Sequence, residues 1–194
     1  MSTLLGPYHP VVVLPEGYEV FDFSIPAAER PEPRSPWIVG RYDEVRVDVY
    51  TQALFESARC VHMGVDLGAP AGTAVHAFAS GVVVHAGVNG AEGDYGPTLV
   101  TEHRVDGERL WVLLGHLSRA SLDLHPPGTR FLRGEVLGWL GAPEENGGWP
   151  PHVHVQLSLR RPETFDLPGV VTLAEREAAR ALYPDPRQVL GPIY

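Results

Sequence analysis

The chain contains no lysine: all fifteen basic residues among its 194 are arginine. This excludes chemistry that needs a lysine amine, such as a Schiff base, a pyridoxal-phosphate anchor or the phosphate-binding lysine of a P-loop. There is one cysteine, Cys60, which excludes an intrachain disulfide and a cysteine-rich zinc finger. No apolar run approaches the roughly twenty residues of a membrane-spanning helix. The segment Met1–Pro15 has neither a basic start nor an apolar stretch of the roughly 7–15 residues found in a secretory signal. The expectation is a cytoplasmic protein with no membrane partner. The formal net charge is −9 and no basic cluster is present, which argues against nucleic acid as a partner.

Glycine (21) and proline (19) make up about a fifth of the chain, favouring short strands and many turns over long helices. Prolines cluster at Pro26, Pro31, Pro33 and Pro36, so residues 1–40 read as an extended arm on the surface, tacked down by Tyr18, Phe21, Phe23 and Trp37 rather than free. Residues 41–160 read as successive strands. Glu44–Tyr50 alternates, with Val45, Val47 and Val49 on one face, and Gly81–His85 is rich in β-branched residues. Thr98–Arg104 and Arg109–His116 flank an Asp106-Gly107 pair, a strong hairpin signal. Val136–Leu140 and Val153–Leu159 complete the set, and Gln52–Ala58 is a candidate helical stretch. Residues 161–194 form a C-terminal extension. There Thr172-Leu173-Ala174-Glu175 is a capping box for a helix running to Leu182, stopped by Pro184 and Pro186. The pattern predicts an all-β core, an antiparallel two-sheet sandwich, with a short C-terminal helix.

Nine histidines carry the functional signal. With a cysteine-rich set unavailable, the ligands of a metal site are expected from His, Asp or Glu, and a catalytic zinc site uses three protein ligands and keeps one open position. His62-Met63-Gly64-Val65-Asp66 places a histidine and an aspartate four apart around a glycine that lets the chain turn. His152-Val153-His154 opens an alternating strand, so both histidines share a face while Val153 packs on the other. Gly115-His116-Leu117 ends a neighbouring strand.

Together these segments resemble the lysostaphin/LytM-type zinc metallopeptidases, which cut peptide cross-links in bacterial cell walls. The likeness covers residues 59–158: the Arg59–Leu67 motif, Pro70–Ala77, Gly81-Val82-Val83, Tyr95-Gly96, Gly115–Ser118, the glycine-punctuated Gly128–Gly141 and His152-Val153-His154. The resemblance implies a duplicated β-hybrid fold and one Zn²⁺ held by His62, Asp66 and His154. It implies catalysis by His116 and His152, with a metal-activated water cutting a peptide or amide. No His-Glu-x-x-His helix is present, so a thermolysin-like arrangement is not expected. Trp149, held between glycines and prolines in the loop Ala142–Pro151, is the candidate wall of the substrate groove, with Tyr95 and His103 as further lining residues. The chain departs from the family at Leu114, where tyrosine is usual, and at Gln156, where glutamate is usual. Two rivals to the peptidase reading are a zinc-retaining binding domain without turnover and a hydrolase of an intracellular non-peptide amide. Oligomeric state carries no sequence signal.

Overall fold

The hairpin signalled by Asp106-Gly107 anchors the architecture. In the computed structural model, which describes residues 8–56 and 58–194, Asp106 (φ 50°) and Gly107 (φ 87°) form a two-residue turn with both central residues left-handed. Such a turn matches the natural twist of two paired strands. Residues 1–7, the start of the arm and of the segment read for a signal, lie outside the described residues, as does Ser57.

Among the described residues, thirteen strands follow in chain order: β1 (Glu19–Phe21), β2 (Ile38–Gly40), β3 (Glu44–Val45), β4 (Val61–His62), β5 (Val65–Gly68), β6 (Ala74–His76), β7 (Gly81–Asn89), β8 (Gly96–Val105), β9 (Glu108–Gly115), β10 (Arg130–Phe131), β11 (Val136–Trp139), β12 (His152–Ser158) and β13 (Val170–Val171). Eight of them form one sheet in the order β1-β2-β5-β12-β9-β8-β7-β10. Its pairs are antiparallel except β1 with β2. β6 pairs with β11, and β13, β4 and β3 form a third, small sheet. The all-β, antiparallel expectation holds; the β6–β11 pair covers the core face of the large sheet, and the β13-β4-β3 sheet packs in a separate apolar cluster with Val61, Met63 and Val171.

The core lies between the large sheet and the β6–β11 pair. Leu99, Val112, Leu114, Val153, Val155 and Leu157 are buried from one side, and Val75, Phe78, Leu137 and Leu140 from the other. Burying a side chain of this size contributes about 1.5–3 kcal/mol, so this cluster fixes the register of the central strands. Among the described residues, no helix is long and apolar enough to cross a membrane.

Three expectations change. The arm is sewn into the fold: β2 pairs with β5, β1 extends that edge, and Val11 and Val12 are core residues. Over Glu44–Tyr50 the buried face is the opposite of the one predicted. Val45, Val47 and Val49 are half-buried while Glu44 and Arg46 are buried, because an ion-pair network described below outweighs the apolar alternation. Only Glu44–Val45 is strand there, and Asp48 takes φ 55°, which interrupts the extended chain. The capping box forms, with Glu175 N–H on Thr172 Oγ1 at 3.3 Å and Thr172 N–H on Glu175 Oε2 at 3.0 Å. The helix proper, α2 (Arg176–Leu182), starts just beyond it. Short helices at α1 (Arg119–Leu124) and α3 (Arg187–Leu190) and a 3₁₀ turn at Ala53–Phe55 complete the elements. The C-terminal extension is bound to the domain through β13 on β4.

Candidate metal centre

β4 and β5 leave Gly64 between them, and β12 lies antiparallel to β5 with His154 directly across from Asp66. The alternation of β12 does what the sequence implies. Val153 is fully buried in the core, while His152 and His154 turn to the other face and meet Asp66. His62 arrives from β4. Its Nε2 lies 2.9 Å from His154 Nδ1 and 3.2 Å from Asp66 Oδ1, and His154 Nδ1 lies 3.1 Å from the same oxygen. The three residues offer one ligand atom each within 4.8 Å of one another.

The hydrogen bonds on the far sides of these rings show what the near sides hold. His62 Nδ1 lies 2.9 Å from the Arg41 carbonyl, which can only accept, so the ring proton is on Nδ1 and Nε2 carries a lone pair. His154 Nε2 lies 3.0 Å from Gln156 Oε1. The Gln156 amide is oriented by giving its own N–H to the Pro168 carbonyl at 3.4 Å, so Nε2 is protonated and Nδ1 is bare. Three lone-pair atoms therefore converge at hydrogen-bond distance with no proton to share. Such a cluster repels itself without a cation, and outer hydrogen bonds of this kind are those that orient metal-ligating histidines. The donor set of two imidazoles and a carboxylate fits Zn²⁺.

Burial, followed by the Arg46 guanidinium, pulls His62 down to about 4, so the ring is neutral at pH 7. Burial alone would raise Asp66, but His62, Arg46 and His152 reverse this and hold the carboxyl well below its usual range.

His116 and His152 stand beside the triad with ring centroids 4.2 Å apart. Each gives Nδ1–H to a backbone carbonyl, His116 to Asn146 at 2.8 Å and His152 to Pro150 at 2.7 Å. That leaves Nε2 of both rings as a base. Burial is the main cause that depresses both pKa values, His116 strongly. His116 also takes φ 61°, an unfavourable left-handed conformation for a non-glycine residue. It is clamped by its N–H on the Tyr95 carbonyl at 2.7 Å and its own carbonyl accepting from Gly141 at 3.0 Å. Strain of this kind clusters at functional sites.

All five side chains line one groove of about 880 Å³, together with Trp149 and Tyr95. Trp149 is half-buried, gives its Nε1–H to the Gly93 carbonyl at 3.0 Å and packs edge-on to Tyr50 at 6.2 Å. Tyr95 is largely buried and stacks near His116 and His154, and its hydroxyl donates to the Leu167 carbonyl at 3.1 Å. It is packing beneath the site rather than a free polar group. His103 does not belong to the groove. It is buried between Phe78 and Phe131 with Nε2 on Thr101 Oγ1 at 2.9 Å. Its strand carries it to the opposite end of β8, where it pairs with Gly81.

Sequence reading missed two features. Gly64 has no left-handed φ; it is glycine because a Cβ there would meet His154 Cε1 at 2.4 Å and Nε2 at 2.6 Å. Arg46, placed by its alternation on a solvent face, is buried against the metal site, with NH1 2.8 Å from Asp66 Oδ2. Gly40, directly across from Asp66, leaves that space, since a Cβ there would fall 2.6 Å from Arg46 NH2; the sequence carries no sign of the pairing.

The fold is mostly β, and its donor set of two histidines and an aspartate is one that could hold a metal ion. The family model described as peptidase family M23 matches residues 60–165, more than half of the chain, and the chain belongs to that family, whose members are typically zinc metallopeptidases. It is 29% identical over 134 residues to the DD-carboxypeptidase/endopeptidase Mpg of Neisseria meningitidis and of Neisseria gonorrhoeae, an alignment covering 63% of this chain. The chain spans 28% of the length of these curated relatives. Among solved structures it is similar to the catalytic domain of the prophage-encoded M23 protein EnpA from Enterococcus faecalis, with 23% identity over 75% of this chain and 95% of that one at TM-score 0.48. It is also similar to the catalytic domain of lysostaphin from Staphylococcus simulans, with 20% identity over 74% and 92% at TM-score 0.48.

Proposed function

We propose that this chain is a zinc-dependent peptide hydrolase. The observation that carries the reading is the convergence of three bare lone-pair atoms, His62 Nε2, Asp66 Oδ1 and His154 Nδ1, beside two histidines with free Nε2 atoms. Zinc held there would supply a Lewis acid that polarises a peptide carbonyl and acidifies a water. His116 and His152, both neutral at pH 7, act as the proton carriers. One accepts a proton from the attacking water, and the pair returns a proton to the leaving amine. Their Nδ1–H bonds to fixed carbonyls stabilise the protonated ring while it holds that proton. Trp149 and Tyr50 form an aromatic side of the groove against which a peptide lies. The DD-carboxypeptidase/endopeptidase activity in the name of the Neisseria relatives supports peptides of the bacterial cell wall as the substrate class to try first.

The decisive experiment is cleavage of peptidoglycan-derived peptides, followed by mass spectrometry, with zinc-loaded wild type and Asp66→Ala. Products that appear with wild type alone support the reading. Full zinc binding without turnover on any wall peptide would favour a zinc-retaining binding domain instead.

A further inference from the structure

We propose that Arg46 is a positioning residue for the metal ligand Asp66, a role that rests on the metal reading above. The Asp66 carboxylate is divided between two neighbours. Oδ1 faces His62 and His154, while Oδ2 accepts from Arg46 NH1 at 2.8 Å. A carboxylate held in this way has one rotamer and presents one oxygen to the histidines.

The guanidinium is itself fixed through Nε, NH1 and its flat face. Nε donates to Glu44 Oε2 at 3.1 Å, and NH1 also donates to the Tyr50 hydroxyl at 2.9 Å. Its flat face lies 4.6 Å from the centroid of the Phe23 ring. Glu44 is held in turn, with Oε1 accepting from Arg41 at 2.8 Å. Space for the group comes from Gly40, where a Cβ would fall 2.6 Å from Arg46 NH2.

Stability does not account for this arrangement. NH2 is buried with no hydrogen-bond partner, which is unfavourable, and a buried ion pair is weak support for a fold compared with apolar packing. The bare edge of the guanidinium is tolerated because the other edge orients Asp66. Arg46 lies before the residues matched by the family model, so this chain supplies the support from its own N-terminal segment.

The test is zinc affinity of the full chain, stripped and titrated with zinc against a chromophoric chelator, alongside thermal midpoints of the metal-free proteins. Arg46→Met keeps the bulk and removes the fork. Its zinc dissociation constant should rise roughly 10–100-fold, the range for groups that orient a metal ligand. Arg46→Lys retains a cation that reaches only one of Glu44 and Asp66, and should fall between Arg46→Met and wild type. If Arg46→Met does not fold, Arg46→Lys decides alone. A lowered midpoint with unchanged zinc affinity would make Arg46 merely structural and overturn the proposal, as would tighter binding in either variant. A wild type that binds no zinc would overturn the metal reading itself, which is a different result from a zinc-binding wild type matched by its variants.

Discussion

Replacing Gly64 by alanine tests whether the metal centre depends on the close approach of two strands. The added Cβ would sit 2.4 Å from His154 Cε1, 2.6 Å from its Nε2 and 2.8 Å from the Val155 carbonyl oxygen. Ordinary contact between such atoms is about 3.5–4.0 Å, so the imidazole or strand β5 must retreat by roughly 1 Å. The imidazole can move only by breaking its bond to Gln156 at 3.0 Å; the strand can move only by disturbing the β5–β12 ladder. Overpacking of this size destabilises by about 1–3 kcal/mol, which for a chain of this length lowers the melting temperature by about 2–4 °C per kcal/mol. Zinc affinity should fall by roughly 10–100-fold because His154 is displaced. Gly72→Ala is the control: its Cβ meets nothing within 4 Å, but φ is 81°. It should lose about 1 kcal/mol through backbone strain and keep its zinc. Calorimetry of metal-free protein and chelator competition give the two numbers. Gly64→Ala with wild-type zinc affinity would refute the reasoning.

Three further outcomes are expected. His116→Ala and His152→Ala should each retain about one zinc by metal analysis and lose turnover by roughly 10²–10⁴-fold; loss of metal from either would show that its role is ligation. Adding zinc at about 100 times its dissociation constant to stripped protein should stabilise it by about 2.7 kcal/mol, and Asp66→Ala should lose this increment in a thermal melt. His103 is pulled down to about 4, chiefly by burial. The unfolded chain, near 6.5, therefore takes up a proton that the folded one refuses. The stability of the neutral ring is fully present above about pH 6.5 and is lost as pH falls toward 4, the loss reaching about 2 kcal/mol by pH 5. Denaturant titrations at pH 7 and pH 5 should show His103→Phe losing less stability than wild type over that interval.

How much of this was legible in the chain depends on the range of the interactions. The hairpin at Asp106-Gly107, the capping box at Thr172–Glu175 and the shared face of His152 and His154 are local. Each follows from a turn conformation, a reciprocal side-chain bond or the two-residue period of a strand. The sharing of one site by His62, Asp66, His116 and His154 was legible through spacing and family likeness. The face of Glu44–Tyr50 was not. Alternation points the valines inward, but Arg46 finds Asp66 twenty residues away, and that ion pair decides which face is buried. His103 was misplaced for a related reason. Its strand does border the His116 strand, yet ten residues of β8 give it two ends, and pairing with Gly81 puts His103 at the far one.

The segment from Arg41 to Arg46 ties these observations together. The Arg41 carbonyl holds the His62 proton away from the site, and the Arg41 guanidinium holds Glu44. Glu44 steadies Arg46, and Arg46 takes one oxygen of Asp66. One short stretch thus orients two of the three candidate ligands, with Arg41–Arg46 itself outside the family-matched residues. The third, His154, is oriented by Gln156. A neutral amide accepts the same proton without adding a negative charge, so a bound cation would be offset by Asp66 alone, itself already paired with Arg46. With one carboxylate among the candidate ligands, the orientation that Arg41–Arg46 gives to His62 and Asp66 is the feature on which tight binding of a cation would depend.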